Sequence, residues 1–444
     1  MFRRSQISSA EVHDTLRRHI LVDGYPIVID LEKSRGSIVK DSLSGREFVD
    51  FYTFFASNPL GFNHPSILDE RTRERLARVS LVKVANSDKY TTYYAEFVDT
   101  LERTAAPPEL PKYFFIEGGA LAVENALKTA FDWKVRKNLA AGRGEKGHKI
   151  LHFEHAFHGR SGYTMSLTNT DPNKVAYFPK FDWPRIPSPM IRFPLEKHLA
   201  DVEAREKAAI EAAEAAFDAN PHDIAAIIIE PIQSEGGDNH FRPEFFRELR
   251  RLADERDALL IYDEVQTGVG STGKWWAYQH HGVAPDIVSF AKKMQVGGIL
   301  VGNRIDEVED NVFKKPSRIN STWGGGLVDM VRATRILEII VEENLLENAR
   351  ARGEQLLAGL REIEQRHPIV DNTRGQGLMC ALDLPDADTR QAVMKRCFED
   401  GMLVLPCGPR SIRFRPCLTV DAEIIAEGLK RLEKAITEVE AQRK

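Results

Sequence analysis

Between residues 110 and 302 the chain alternates short runs of apolar, β-branched or aromatic residues with longer amphipathic stretches. The short runs predict strands at Tyr113–Ile116, Ile150–Phe153, Ile224–Ile229, Ala258–Tyr262, Asp286–Phe290 and Ile299–Gly302. The stretches between them predict helices over Ala120–Val135, the alanine-rich Asp201–Ala219 and Pro243–Arg256. That alternation is the pattern of a mostly parallel sheet with crossover helices. After Trp323-Gly324-Gly325-Gly326 the texture changes. Asp329–Asn348 and Ala349–Gln365 read as long amphipathic helices. Short strands follow at Gly377–Leu384, Leu403–Leu405 and Ser411–Pro416, then a closing helix from Ala422 to about Ala441. The layout predicts a large α/β domain over residues 61–322 and a smaller α+β domain over 323–444. Residues 1–60 contain a turn, Asp41-Ser42-Leu43-Ser44-Gly45, between two strands, and are expected to pack on the smaller domain.

Composition narrows the class. A chain of 444 residues exceeds one compact core. With 42% hydrophobic and 29% charged residues it reads as an ordinary soluble globular protein. A net charge of −5 with dispersed basic residues gives no footprint for nucleic acid or an anionic membrane. No apolar run approaches the roughly 20 residues of a bilayer helix, and the charged N-terminal stretch lacks the apolar core of a signal peptide. Cys380, Cys397, Cys407 and Cys417 show neither CxxC spacing nor histidines nearby. They predict reduced, buried thiols in a cytoplasmic protein and no metal site.

The chemistry concentrates at strand ends. The run Asp286–Phe290 delivers Lys292 into a loop, and the strand before it runs into Asp263-Glu264. In an open α/β sheet both ends face the crevice where ligands bind. An amine and a carboxylate there suit pyridoxal phosphate, the lysine as Schiff-base donor and the acid against the pyridinium nitrogen. Taken singly, a surface lysine and a helix cap are the plainer alternatives. Glu117-Gly118-Gly119-Ala120, a strand-to-helix turn, offers backbone N–H groups and a positive helix end to a phosphate. Phe157-His158-Gly159-Arg160 carries an aromatic to stack on a ring and an arginine to hold a carboxylate. Strand Ile224–Ile229 ends with two acids, Glu230 and Glu235. Gly268-Val269-Gly270-Ser271-Thr272-Gly273 matches a dinucleotide fingerprint by letter. It lacks the following amphipathic helix and the acid ending the next strand, and is expected instead to be a flexible loop over the site. Asn320-Ser321-Thr322 and Arg413-Phe414-Arg415 add polar groups on a turn and a strand.

The series EGGALAVENALK, FHGR, IIIEPIQSEGG, IYDEVQTGVGSTG, DIVSFAKKMQVGG, NSTWGG and RFRPCLTV strongly resembles the class III, ω-amino-acid aminotransferases of pyridoxal-phosphate fold type I. Within that family the chain is most similar to enzymes acting on the ε-amine of L-lysine. The 4-aminobutyrate enzymes share FHGR and the Lys-Lys-Met element and are the competing reading. The resemblance implies Lys292 as the Schiff-base lysine and Asp263 as the pyridinium partner. It places Val265 and Gln266 at the ring face and 3-oxygen, Phe157 on the opposite face, and Gly119 and Ala120 at the phosphate. Thr322 would reach that phosphate from a second subunit, which implies a homodimer with shared sites. His158 and Glu230 belong to the same cofactor set. For substrates it implies L-lysine and 2-oxoglutarate, with L-glutamate as product. Arg160 would hold the distal carboxylate, Asn320 would orient lysine's α-end, and Phe55 would line the channel. Glu235 would pair with Arg413 while lysine is bound and release it to 2-oxoglutarate.

Overall fold

The computed structural model describes residues 7–443. At its centre is a seven-stranded sheet of β1 (Lys112–Ile116), β2 (Lys149–Phe153), β3 (Arg185–Ile186), β4 (Ile224–Ile229), β5 (Leu259–Asp263), β6 (Ile287–Phe290) and β7 (Gly297–Val301). Their spatial order is β1-β7-β6-β5-β4-β2-β3. β2 through β6 pair in parallel, whereas β7 runs antiparallel to both β6 and β1. Every residue of β4, β5 and β6 is buried. Helices cover both faces, which is why these strands read as continuous apolar runs rather than alternating ones. The helix Gly119–Ala140 buries Val123, Ala126, Leu127, Ala130 and Trp133 with Ile228, Ile261 and Ile287 of the sheet. On the other face Pro243–Glu255 packs Phe245, Phe246 and Leu249 against Ile227, Leu260 and Tyr262.

The remaining sheets carry the smaller unit. Asp371–Gln376, Met379–Asp383, Ser411–Phe414 and Leu405–Cys407 form, in that order, a four-stranded antiparallel sheet. Helix Leu345–Arg366 packs on it, and helix Ala422–Arg443 packs in turn on that helix and on strands Glu47–Asp50 and Met402–Leu403. The N-terminal strands Ile38–Lys40 and Glu47–Asp50 pair antiparallel around the expected turn, whose Asp41 carboxylate accepts from the N–H groups of Leu43 and Ser44 (both 3.1 Å). Glu47–Asp50 then pairs in parallel with Met402–Leu403, so N-terminal and C-terminal parts of the chain share one small sheet.

Two expectations need correction. The long helices divide at Asn344 (φ 51°), giving Leu327–Glu342 and Leu345–Arg366 rather than a break after residue 348. Asparagine tolerates the left-handed region that the reversal needs. The segment Gly268–Gly273 is no flexible loop. It is packed, with Val269 N–H bonded to the Trp275 carbonyl (2.6 Å) and the Ser271 carbonyl accepting from Leu378 N–H (2.8 Å). It clasps the smaller unit to the large sheet. All four cysteines are free and buried. Among the described residues no helix is long and apolar enough to cross a membrane, and no group of three or more His, Cys, Asp or Glu is placed to hold a metal ion.

Candidate active site

The parallel register of β5 and β6 sets Asp263 opposite Ser289. Asp263 is buried, and its Oδ1 accepts from Ser289 Oγ (3.2 Å) and Val265 N–H (3.0 Å). Its Oδ2 lies 2.8 Å from His158 Nδ1, itself fully buried. Among the described residues His158 Nε2 has no hydrogen-bond partner. Beyond β6 the chain turns sharply. Lys292 opens a 3-10 turn at φ 26°, a sparsely populated conformation of the kind that collects at functional sites, closed by Gln295 N–H on the Lys292 carbonyl (2.9 Å). Lys292 Nζ donates to the Phe55 carbonyl at 3.0 Å. Burial, helped by the Arg413 charge, pulls its pKa down to about 8, with Glu235 and Asp263 opposing. Lys293 diverges from it. Its Nζ bonds the Gln266 carbonyl inside the protein, and burial holds it well below the ordinary lysine range.

The glycine turn closes on the same place. Gly118 takes φ 89°, and the helix begun by Gly119 has no side-chain cap, so its first N–H groups are open to an anion. A Cβ on Gly119 would fall 2.7 Å from Val265 Cγ1 and 3.5 Å from Ala291 Cβ. The helix end therefore rests between the residue two past Asp263 and the residue one before Lys292. A Cβ on Gly159 would sit 2.6 Å from that of Ala120, which fits the Phe157–Arg160 loop against the same turn. Glu124 of the helix secures the loop's far side, accepting from Ser161 Oγ and Tyr163 N–H (both 2.7 Å).

Glu230, expected in the cofactor set, is tied to the aromatic loop. Its carboxylate accepts from Phe157 N–H (2.9 Å) and Ser234 N–H (3.2 Å), so it positions the aromatic loop. Full burial, and next the charge of Asp263, raises its pKa well above the usual carboxylate value. His158 likewise touches Asp263 and orients that carboxylate.

A cavity of about 490 Å³ adjoins this set, lined among others by Phe55, Lys174, Glu235, Arg390, Cys407 and Arg413. Phe55 is presented by a left-handed turn, Thr53–Ala56, with φ between 43° and 65°. Asp50 anchors it by accepting from Tyr52 and Thr53 N–H (2.9 and 2.8 Å), and Thr53 Oγ1 bonds the Arg415 carbonyl. Arg413 is buried, which lowers its pKa, and Nη1 donates to Gln266 Oε1 at 2.8 Å. Glu235 and Arg413, expected to pair while lysine is bound, are each bonded elsewhere in this structure. Glu235 Oε1 instead accepts from Thr170 Oγ1 (2.9 Å) and is ion-paired with Lys174. Gln266 thus meets Arg413 with the group expected near the ring's 3-oxygen. Arg160 is exposed and forms no ion pair among the described residues. Asn320 and Thr322 lie on an exposed turn, where Asn320 Oδ1 accepts from Ser321 N–H and the Thr322 carbonyl from Ser87 Oγ. Within one chain neither meets the Lys292 set. Sequence reasoning missed Ser289, Glu124, Thr170 and Lys174. Strand register could have found Ser289; the other three are joined to their partners only by the fold.

Strand-end lysine and aspartate, an uncapped glycine-led helix and an arginine-bearing cavity make a site for a phosphorylated, ring-bearing carbonyl cofactor and an anionic substrate. The profile of the family described as aminotransferase class-III matches residues 21–436. The chain is a class-III aminotransferase. L-lysine-epsilon aminotransferases of Amycolatopsis lactamdurans and Mycobacterium tuberculosis are 51% and 52% identical over 96% of this chain and 95% of theirs. Human mitochondrial 4-aminobutyrate aminotransferase is 33% identical over 87% of this chain and 80% of its own. The solved lysine aminotransferase of M. tuberculosis in the internal aldimine form superposes with a TM-score of 0.96, covering 98% of this chain and all of that one at 51% identity. The cofactor of this class-III aminotransferase is pyridoxal 5′-phosphate. Gly119, whose Cβ would crowd Val265, and the uncapped helix end fit its phosphate, and buried Asp263 fits its ring nitrogen.

Proposed function

We propose that this aminotransferase moves the ε-amino group of L-lysine to 2-oxoglutarate. The products are L-glutamate and 2-amino-6-oxohexanoate, which cyclises to 1-piperideine-6-carboxylate. The observation that carries the donor is the full-length likeness to proteins named for lysine ε-amine transfer, far above that to the 4-aminobutyrate enzyme. When bound, pyridoxal phosphate supplies an electron sink for the carbon that bears the amine.

The chain's own residues do the rest. Asp263, oriented by His158 and Ser289, holds the proton on the ring nitrogen. Lys292, with a pKa near 8, is partly neutral near pH 7 and moves a proton to and from the amine-bearing carbon. Phe157 covers one ring face and Val265 the other, while Gly119 and Ala120 receive the phosphate. Arg160 takes the carboxylate distant from the reaction. Arg413 takes the carboxylate beside the reacting carbon of 2-oxoglutarate, which lysine lacks. Facing lysine's apolar chain it would stand as an uncompensated buried charge, and Glu235 is the nearby acid able to cover it.

The site is read as shared between two copies. Exposed Leu81, Val82, Tyr90 and Trp323 lie on segments joined to each other, with Asn86 N–H on the Trp323 carbonyl and Lys83 paired to Glu117. This apolar patch borders both Thr322 and the Gly118 turn, as a homodimer reaching Thr322 into its partner's phosphate site requires. Asn320, on the same turn, would reach the partner's substrate. Four free buried thiols support a cytoplasmic location. The deciding assay gives purified protein 2-oxoglutarate with L-lysine, 4-aminobutyrate or L-ornithine, and follows glutamate and the cyclic imine. Lysine should be preferred at least about tenfold in kcat/KM, and preference for another amine would overturn the donor assignment.

A further inference from the structure

Lys174 plays no part in the chemistry derived above, yet it occupies a decisive place. It sits on the short helix Pro172–Val175, fixed by the Asp171 carboxylate accepting from Asn173 N–H (2.9 Å). Its side chain is one-third exposed and enters the substrate cavity that also holds Arg413. There its ammonium contacts Glu235 and stands 5.7 Å from the centroid of the Phe157 ring. Thr170 supplies a second donor to the same Glu235 oxygen. Glu235 and Arg413 therefore share a cavity without pairing, each bonded elsewhere, Arg413 to Gln266.

We propose that Lys174 is a specificity-determining positioning residue: it holds Glu235 away from Arg413 and so keeps Arg413 ready for a dicarboxylate. This rests on the reading of Glu235 and Arg413 given above. Glu235 has two stations. On Arg413 it neutralises the guanidinium and favours a substrate, such as lysine, with no carboxylate at its reacting carbon. On Lys174 and Thr170 it leaves the guanidinium to 2-oxoglutarate or glutamate. A cation at 174 keeps the displaced carboxylate from standing unpaired in a partly buried cavity, which biases the pair of states toward the dicarboxylate form. Such a bias acts with opposite sign on the two substrates.

The test uses holoenzyme and Lys174→Met, which retains much of the apolar stem beside Phe157. KM for 2-oxoglutarate should rise about two- to fivefold, the size expected for a partly exposed ion pair, while KM for L-lysine falls. Lys174→Arg should restore both. In a Glu235→Gln background Lys174→Met should change neither KM. Equal changes for both substrates, or no change, or the same change without Glu235, would overturn the role of Lys174. The wild-type enzyme separates this from the underlying reading: if it fails to exchange amine between L-lysine and 2-oxoglutarate, the substrate assignment is at fault rather than Lys174.

Discussion

At the scale of single residues, two adjacent lysines show how placement decides chemistry. Lys292 and Lys293 both lose much of their basicity to burial. Only Lys292 faces the crevice with Asp263 and Arg413; Lys293 is turned onto the Gln266 carbonyl. An amine must be neutral to attack a cofactor aldehyde. Lowering a lysine from its ordinary 10.5 to about 8 increases the neutral fraction at a given pH below that range. The rate at which apoprotein takes up pyridoxal phosphate should therefore climb about tenfold per pH unit below pH 8 and level off above it. Stopped-flow absorbance across pH 6 to 10 reads this directly. A limb continuing upward to pH 10 would mean that Lys292 is not depressed, and Lys292→Ala should abolish the covalent signal.

At the scale of elements, the site depends on turns that only glycine or a strained residue can make. Gly377, at φ 56°, is packed on the Gly268–Gly273 turn: a Cβ there would lie 2.5 Å from the Thr272 carbonyl carbon and 2.6 Å from the Ser271 oxygen. Both neighbours are backbone and neither can swing aside. Gly377→Ala should cost at least about 1–3 kcal/mol in chemical denaturation, and undiminished stability would mean the clasp is loose. The sequence readily disclosed the strands that feed the site. Ile224–Ile229 is an unbroken apolar run because both its faces are covered. Gly297-Gly298 opens β7 ahead of the start that the apolar pattern predicts at Ile299, since glycine disfavours strands in general; here a Cβ on Gly298 would meet the Phe114 carbonyl oxygen at 2.5 Å. Arg185–Ile186 is too short to carry a pattern at all. Lys292 and Asp263 were legible because Asp263 ends β5 and Lys292 follows just beyond the end of β6. Lys174 was not: it lies 61 residues from Glu235 on a four-residue helix and reads as a surface lysine.

At the scale of the whole molecule, the prediction concerns two chains. Thr322 is exposed, and among the described residues its carbonyl accepts from Ser87 Oγ. If it serves a neighbouring copy's phosphate, Thr322→Ala should speed cofactor loss by roughly tenfold or more, the worth of a hydrogen bond to a charged group. Gel filtration with spectrophotometric cofactor retention measures it, and an unchanged release rate would count against a shared site. The left-handed turn at Thr53–Ala56 has a consequence of its own. The strand just before it is hydrogen-bonded to Met402–Leu403, and the carbonyl of Phe55 is the acceptor for Lys292. A displacement of Met402–Leu403 against the large sheet would act along this lever on the oxygen that receives the amine, so the small sheet and the placing of the central nitrogen are mechanically geared.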